Sequence, residues 1–504
     1  MNYKKLKPIM ILYISLPVFT FLIGYLRWYW AAPAICALAF AVHQALRDDG
    51  TRDGLCGECG AITNLELIGW FAFALLFTHL CGLNGFWYQT SDWNARNPIY
   101  KDIITRPWPV FYESRNTALS YYIGFWLVPA VPAKIAYALF GRNIAWIVGR
   151  IALWIWAAIG LWLLMLASFM FLNARTRKLR LITAMVILGF SGLDVVGMII
   201  RSKYDMLDAS VLHIEWWCSH QISSITTCLC WVFNQTAISW LCILCFLMEK
   251  SCRNYLLIGV SCLFCGPIPF VGLVVLMVAR FAADAIREKK FLCTLKNVFS
   301  LQNIAMLLGV FPLVAMYLLS NNAASTGVKY REWSALAVLK VIGFLVLEAG
   351  VYLALLWKKH KRDPLFYAVA VTLALCPFIR IGEADDFCMR ASVPGVLMMA
   401  LWSADAVDQI VRCGLPERKR ERLASIALLV VLCVGAVTPA VELYRGFYQV
   451  VSNKTIFLEN TEYDTMEDYS NITVNFETTD PAGRPFFRYF AKELQGGGNI
   501  TADP

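Results

Sequence analysis

Residues 144–171 read IAWIVGRIALWIWAAIGLWLLMLASFMF, an almost unbroken apolar run with Arg150 as its single charged residue. A helix needs about 20 apolar residues to cross the hydrocarbon of a bilayer, and this run exceeds that length. Inside a bilayer every backbone N–H and C=O group needs a partner, which a helix supplies within the segment. The stretch therefore predicts a transmembrane helix.

Similar runs recur along the whole chain of 504 residues, of which 59% are hydrophobic and 16% charged, with a mean hydropathy of +0.57. Soluble domains carry about 25% charged residues. The composition predicts an all-α, polytopic transmembrane bundle of about 11–13 spans rather than a soluble domain with one anchor. The formal net charge of +10 lies mostly in short loops. There it sets the orientation of the chain, so it does not indicate nucleic-acid binding.

Eleven spans are predicted from the apolar runs. They cover residues 8–26, 29–46, 65–83, 144–171, 181–200, 223–247, 301–320, 335–357, 363–381, 392–411 and 422–441. The first run shows no clear cleavage site and a second follows at once, so we interpret it as a retained span, not a signal peptide. The stretch 254–285 is broken by Gly266-Pro267-Ile268-Pro269. Its first limb is short, which predicts a hairpin that enters and leaves on one side.

The stretch 118–140 decides the topology, because Pro129, Pro132 and Lys134 interrupt it. If it does not span, all the basic loops fall on the cytoplasmic side, as the positive-inside rule requires. We prefer that topology, which makes 84–143 a long extracytoplasmic loop with interfacial helices. Residues 1–441 then form the transmembrane domain, and 442–504 form a short extracytoplasmic tail.

Most of the seventeen cysteines lie in apolar runs, where a free thiol behaves as a small hydrophobic group. Cys56 and Cys59 form a CxxC pair with no second pair nearby, whereas structural zinc needs four ligands. We therefore predict no metal site from the cysteines.

Four polar clusters fall on the extracytoplasmic side of the predicted topology. The members that carry chemistry are Asp92 and Arg96; His213, Glu215, His220 and Gln221; Arg380, Glu383, Asp385, Asp386 and Arg390; and Asp194, Asn234, Gln235 and Glu348. Ionisable residues within spans are costly and often functional, although Asp194 and Glu348 fit polar contacts between helices equally well. A carboxylate at the membrane surface can act as a general base, and an arginine can hold a phosphate.

This layout resembles the GT-C class of membrane glycosyltransferases, which combine many spans with a long first extracytoplasmic loop. Ser91-Asp92-Trp93-Asn94 occupies the place near the start of that loop where the class has its catalytic acid. The stretch from Asp385 to Pro394 is similar to a loop of large bacterial membrane proteins of this kind. Here two extra predicted spans precede the loop, and the tail is shorter than in many members.

The resemblance implies inverting transfer of a sugar from a polyprenyl-phosphate donor to a cell-envelope hydroxyl, in a bacterial inner membrane. Asp92 would be the catalytic base, and Arg390 with Arg380 would hold the phosphate of the lipid. The remaining candidates would position the substrate, or hold a divalent cation by oxygen ligands if the reaction uses one. They are His213, Glu215, Asp385 and Asp386.

Two other functions stay open. A transporter or flippase would use Asp194, Glu348 and the proline-broken hairpin as a substrate path, although no inverted repeat is visible. A polysaccharide polymerase or ligase would also use lipid-linked glycans. A channel is the least favoured, because no span shows a ring-forming polar stripe.

Overall fold

The computed structural model describes residues 3–48, 62–201, 213–287, 291–325, 328–329, 334–381, 386–469 and 475–495. Over these residues the chain is an all-α polytopic bundle, as predicted, and it is an integral membrane protein. Nine of its described helical segments are long and apolar enough to cross a bilayer. They are Lys5–Tyr25, Trp28–Arg47, Arg142–Phe171, Arg177–Ile200, Ile225–Met248, Pro267–Ile286, Leu301–Leu319, Ala335–His360 and Lys419–Asn453.

The helices of the first half are α1 (Tyr3–Tyr25), α2 (Trp28–Arg47), α3 (Asn64–Leu80), α4 (Trp93–Thr105), α5 (Gly124–Phe140), α6 (Arg142–Phe171), α7 (Arg177–Gly189), α8 (Asp194–Ile200), α9 (Ile225–Met248), α10 (Tyr255–Cys265) and α11 (Pro267–Arg287). Those of the second half are α12 (Phe291–Val298), α13 (Leu301–Gly309), α14 (Phe311–Leu319), α15 (Asn322–Ser325), α16 (Ala335–Leu345), α17 (Val351–His360), α18 (Pro364–Leu375), α19 (Phe387–Ala391), α20 (Val393–Cys413), α21 (Lys419–Gly435) and α22 (Val437–Asn453).

Helix α9 is the centre of the bundle, and nearly all of its residues are buried. It contacts α1, α5, α6, α10 and α20. Its backbone is kinked at Val232, just before the buried polar pair Asn234 and Gln235. The kink therefore lies next to two buried polar side chains in an otherwise apolar part of the helix.

The two limbs α10 and α11 form the predicted hairpin. Helix α10 has 11 residues, which at 1.5 Å per residue gives a length of about 16 Å, short of the ~30 Å of hydrocarbon. Asn254, at the start of α10, donates to Glu249 Oε2 at 3.0 Å, and Arg280 of α11 donates to Glu249 O at 2.5 Å. Both limbs thus return to the same end of α9, while α11 by itself is long enough to cross a bilayer.

Two ion pairs and one hydrogen bond join segments that the sequence prediction placed on one side. Lys7 lies 3.1 Å from Glu249, and Arg412 Nη2 donates to Asn173 O at 2.8 Å. Lys358 also pairs with Glu421. These contacts agree with the preferred topology, in which all the basic loops share a side.

The long loop 84–143 and the C-terminal tail fold together. Strands β1 (Phe111–Tyr112) and β2 (Thr117–Leu119) of the loop pair antiparallel, and β5 (Glu477–Thr478) of the tail adds to β2. A second antiparallel pair joins β3 (Val328–Lys329) to β4 (Arg380–Ile381). Helix α4 is buried along most of its length, because it packs against α5 and α6 and the tail covers it from the other side.

Candidate functional site

Asp92 lies at the N-terminus of α4, where it faces a buried arginine of the same helix. Arg96 Nη2 donates to Asp92 Oδ2 at 2.7 Å; the Asp92 side chain is 43% exposed and that of Arg96 only 6%. Positions four residues apart share a helix face, which explains the pairing. Arg96 Nη1 is buried and has no hydrogen-bond partner among the described residues. Solvent-exposed Asp92 therefore pairs with a buried guanidinium that has one further N–H donor, Nη1, without a partner among the described residues.

Arg390 of α19 repeats this arrangement with Asp386. Its Nη2 donates to Asp386 Oδ2 at 2.6 Å, and its Nη1 donates to the Tyr122 hydroxyl at 2.7 Å. With the amide of Gln235 oriented to accept, Gln235 Oε1 lies 3.3 Å from Arg390 Nε. The guanidinium is thus held by α19, by the loop before α5, and by α9.

Helix α9 brings the two ion pairs together: the Arg96 guanidinium lies 5.8 Å from the centre of the Phe233 ring, two residues before Gln235, which contacts Arg390. Burial lowers the pKa of Arg390, but Asp386, Tyr122, Tyr121 and Asp92 more than offset it, so that pKa lies above its ordinary value. Burial also raises the pKa of Tyr121, while Arg390 and Arg96 oppose the rise. We call Asp92, Arg96, Tyr121, Tyr122, Gln235, Asp386 and Arg390 the arginine cluster.

The tail borders the arginine cluster. Asn94 donates to the Glu462 carboxylate, and Asn97 Nδ2 donates to Asn460 O at 2.8 Å. Burial raises the pKa of Tyr469, and the nearby acids Asp92 and Glu462 add to the rise. The tail is therefore part of the wall around Asp92.

His213 makes its contacts in a second, buried cluster. Its Nδ1 lies 2.6 Å from Glu442 Oε1, to which Arg445 Nη2 also donates at 2.7 Å. Trp231 Nε1 donates to Glu442 Oε2 at 2.9 Å. Glu442 and Arg445 were not predicted, because the sequence interpretation ended the last span at residue 441, whereas the helix continues to Asn453.

Glu215 lies beside this second cluster and is 1% exposed. Its Oε2 accepts from Ser223 Oγ and Gln221 Nε2, each at 2.6 Å. Burial, then Asp194, raise the pKa of Glu215 to about 7, although His213 and Ser223 oppose them. Burial therefore keeps this carboxyl protonated to a higher pH than an ordinary glutamate.

We expect Glu215→Gln to remove a pH dependence of stability. The pKa of Glu215 is raised from 4.5 to about 7 in the folded protein, so the folded state binds the proton more tightly than the unfolded state does. Its contribution to stability is complete below pH 4.5 and is lost as the pH rises to about 7. The melting temperature in detergent should fall by several degrees over this window in the wild type.

The matched control is Glu113→Gln, an exposed acid of the long loop, which should keep the wild-type pH profile. A Glu215→Gln protein whose melting temperature still falls over the same window would show that another group is responsible.

Asp194 and Glu348 meet at the break between α7 and α8. Trp217 Nε1 lies 3.3 Å from Asp194 Oδ1 and 3.2 Å from Glu348 Oε1. Ser191 and Thr438 donate to Asp194 Oδ2 at 2.9 and 3.0 Å. Glu348 lies in a π-helical turn, Val346–Gly350, a feature that is frequent at functional sites. The hydrogen bonds fit a polar link between helices and the π-helical turn fits a functional role, so both alternatives for this pair stay open.

The other predicted residues are placed less tightly. Arg380 lies in β4, opposite Lys329 of β3, and is half-buried. Asp385, Cys56 and Cys59 lie outside the described residues. Among the residues that are described, no group of three or more His, Cys, Asp and Glu side chains is arranged to hold a metal ion.

Comparison of the chain with protein-family models, with curated proteins and with solved structures finds no match. The resemblance to the GT-C class therefore stays a prediction. Any functional proposal therefore depends on the geometry of the arginine cluster.

Proposed function

We propose that the chain is a membrane glycosyltransferase of GT-C type, which moves a sugar from a polyprenyl-phosphate donor to a cell-envelope hydroxyl outside the cytoplasm of a bacterium. One observation carries the proposal. Asp92, a carboxylate that solvent reaches, shares a site with the buried guanidinium of Arg96 and the largely buried one of Arg390.

Glycosyl transfer from such a donor needs a general base for the acceptor hydroxyl and a cationic group that binds the departing lipid phosphate. The Asp92 carboxylate takes the proton of the acceptor hydroxyl as its oxygen attacks the anomeric carbon. The bond from that carbon to the phosphate oxygen breaks, and the lipid phosphate leaves as an anion. Guanidinium groups bind phosphate through two parallel N–H donors, which gives Arg390 and the spare Nη1 of Arg96 their roles.

The low exposure of both arginine side chains strengthens their attraction for a phosphate group. The side chains of Arg96 and Arg390 are 6% and 13% exposed, and charge interactions are stronger where water is excluded. Each is balanced by one acid in the resting site, so an incoming phosphate shares donors with Asp92 and Asp386. Asp386 is 42% exposed, which leaves it room to turn away.

The test is a transfer assay with the purified protein in liposomes. The probes are polyprenyl-phosphate-linked glucose, galactose and mannose, each tritiated in the sugar, with an envelope glycolipid extract as acceptor. We expect one donor to yield free polyprenyl phosphate and a tritiated glycolipid, both detected by mass spectrometry.

The same assay tests transport, the second candidate, which the buried pair Asp194 and Glu348 at a helix break favours. A transporter would move the intact labelled donor across the bilayer and release no polyprenyl phosphate. That outcome would contradict the proposed transfer.

A further inference from the structure

A basic cavity of about 350 Å³ lies away from the arginine cluster, between the end of α4 and the first turns of α6. Three cations line it, Lys101, Arg142 and Arg150, with Trp146 as its aromatic wall. The Lys101 ammonium lies 5.0 Å from the centre of the Trp146 ring. Among the described residues that line it, Asp464 of the tail is the one acid.

The tail acids neutralise this cavity incompletely. Lys101 Nζ lies 3.3 Å from Asp464 Oδ1, and Arg142 pairs with the other oxygen of the same carboxylate. Arg150 Nη1 lies 2.5 Å from Glu459, behind the lining. Among the described residues of the cavity, the three cations and the two tail acids leave a net charge of one positive unit. The Asp464 carboxylate lies between Lys101 and Arg142, which shows that an anionic group fits between them.

The cavity opens onto a face of α6 that is apolar and exposed. Ile147 lines the cavity and is 42% exposed. Below it, Ile151 and Ile155 continue the same helical face and are 39% and 41% exposed. Because α6 is a membrane-spanning helix that begins at Arg142, the cavity lies where headgroups meet acyl chains.

We propose that this cavity binds the phosphate headgroup of an anionic phospholipid, whose acyl chains lie along the isoleucine face of α6. Charge selects the headgroup, since basic pockets at the ends of membrane helices attract anionic lipids. The apolar face selects a lipid over a soluble phosphate. The Asp464 side chain is 55% exposed and pairs with the same two cations, Lys101 and Arg142. It turns toward solvent when the phosphate headgroup binds to them.

The test is native mass spectrometry of the full chain, delipidated in detergent and titrated with dioleoyl phosphatidylglycerol or with dioleoyl phosphatidylcholine. We expect the anionic lipid to bind at least about tenfold more tightly. The double variant Lys101→Gln, Arg142→Gln should lose about tenfold of that affinity. Arg418→Gln, a change at an exposed cation far along the chain, should lose none.

Asp464→Asn distinguishes anion binding from a purely structural role. Removing the competing carboxylate should raise the affinity for phosphatidylglycerol severalfold, the opposite sign to the double variant. Equal binding of the two lipids, or a loss of affinity in Asp464→Asn, would overturn the proposal. Binding of added polyprenyl phosphate without any binding of phosphatidylglycerol, measured in the same way, would also overturn it.

Discussion

Asp92→Asn should lower the rate of glycosyl transfer by about a hundredfold to ten-thousandfold, the usual contribution of a general base. Asparagine fills the same space but cannot take the proton of the acceptor hydroxyl. The affinity for the donor should change little, because the phosphate is held by Arg390 and Arg96. Initial rates at varied donor concentration therefore should show a fall in kcat with a nearly constant KM.

The control is Glu113→Gln, which removes an exposed acid of the same loop and should keep the wild-type rate. Asp92 is nearly half exposed, and asparagine keeps an oxygen that can accept from the buried Arg96, so the melting temperature of the variant in detergent should fall by only a few degrees. A fully active Asp92→Asn protein would remove the base from the proposed mechanism. A variant that is both inactive and unstable would instead point to the Arg96 ion pair as a structural contact.

The helices of the bundle were predictable because the bilayer imposes one simple requirement on sequence. Long apolar runs such as 144–171 have no other stable placement. The hairpin of α10 and α11 followed from the same logic, since Gly266 and Pro267 interrupt an apolar run too short to cross twice. The tail could not be predicted this way, because β5 has two residues and its partner β2 lies more than 350 positions earlier in the chain.

The arginine cluster was predictable only in part. Asp92 with Arg96, and Asp386 with Arg390, are four residues apart on a helix, a spacing that sequence reveals. The contact from Arg390 to Tyr122 joins residues 268 positions apart, and no local pattern indicates it. Glu442 was missed for a different reason. Its charge and that of Arg445 ended the predicted span, whereas the structure neutralises them within the helix.

Glu442→Ala should destabilise the folded protein more than any surface change. The carboxylate is 2% exposed and accepts from Arg445 and Trp231, with His213 at 2.6 Å. Its removal leaves the buried Arg445 guanidinium without its carboxylate, which costs about 3–5 kcal/mol of unfolding free energy. The loss should appear as a lower melting temperature when thermal unfolding in detergent is followed by the summed fluorescence of the 18 tryptophans.

A surface pair and an apolar replacement separate the buried charge from the lost contacts. Glu421 pairs with Lys358 at an exposed position, and Glu421→Ala should barely change the melting temperature, since exposed ion pairs contribute little. Replacing Glu442 and Arg445 together by methionine removes both charges and keeps most of the volume. That double variant should recover much of the stability that Glu442→Ala loses, because uncompensated charge is the main cost. If it is as unstable as the single variant, packing and the His213 contact, rather than the charge of Arg445, hold this part of the bundle together.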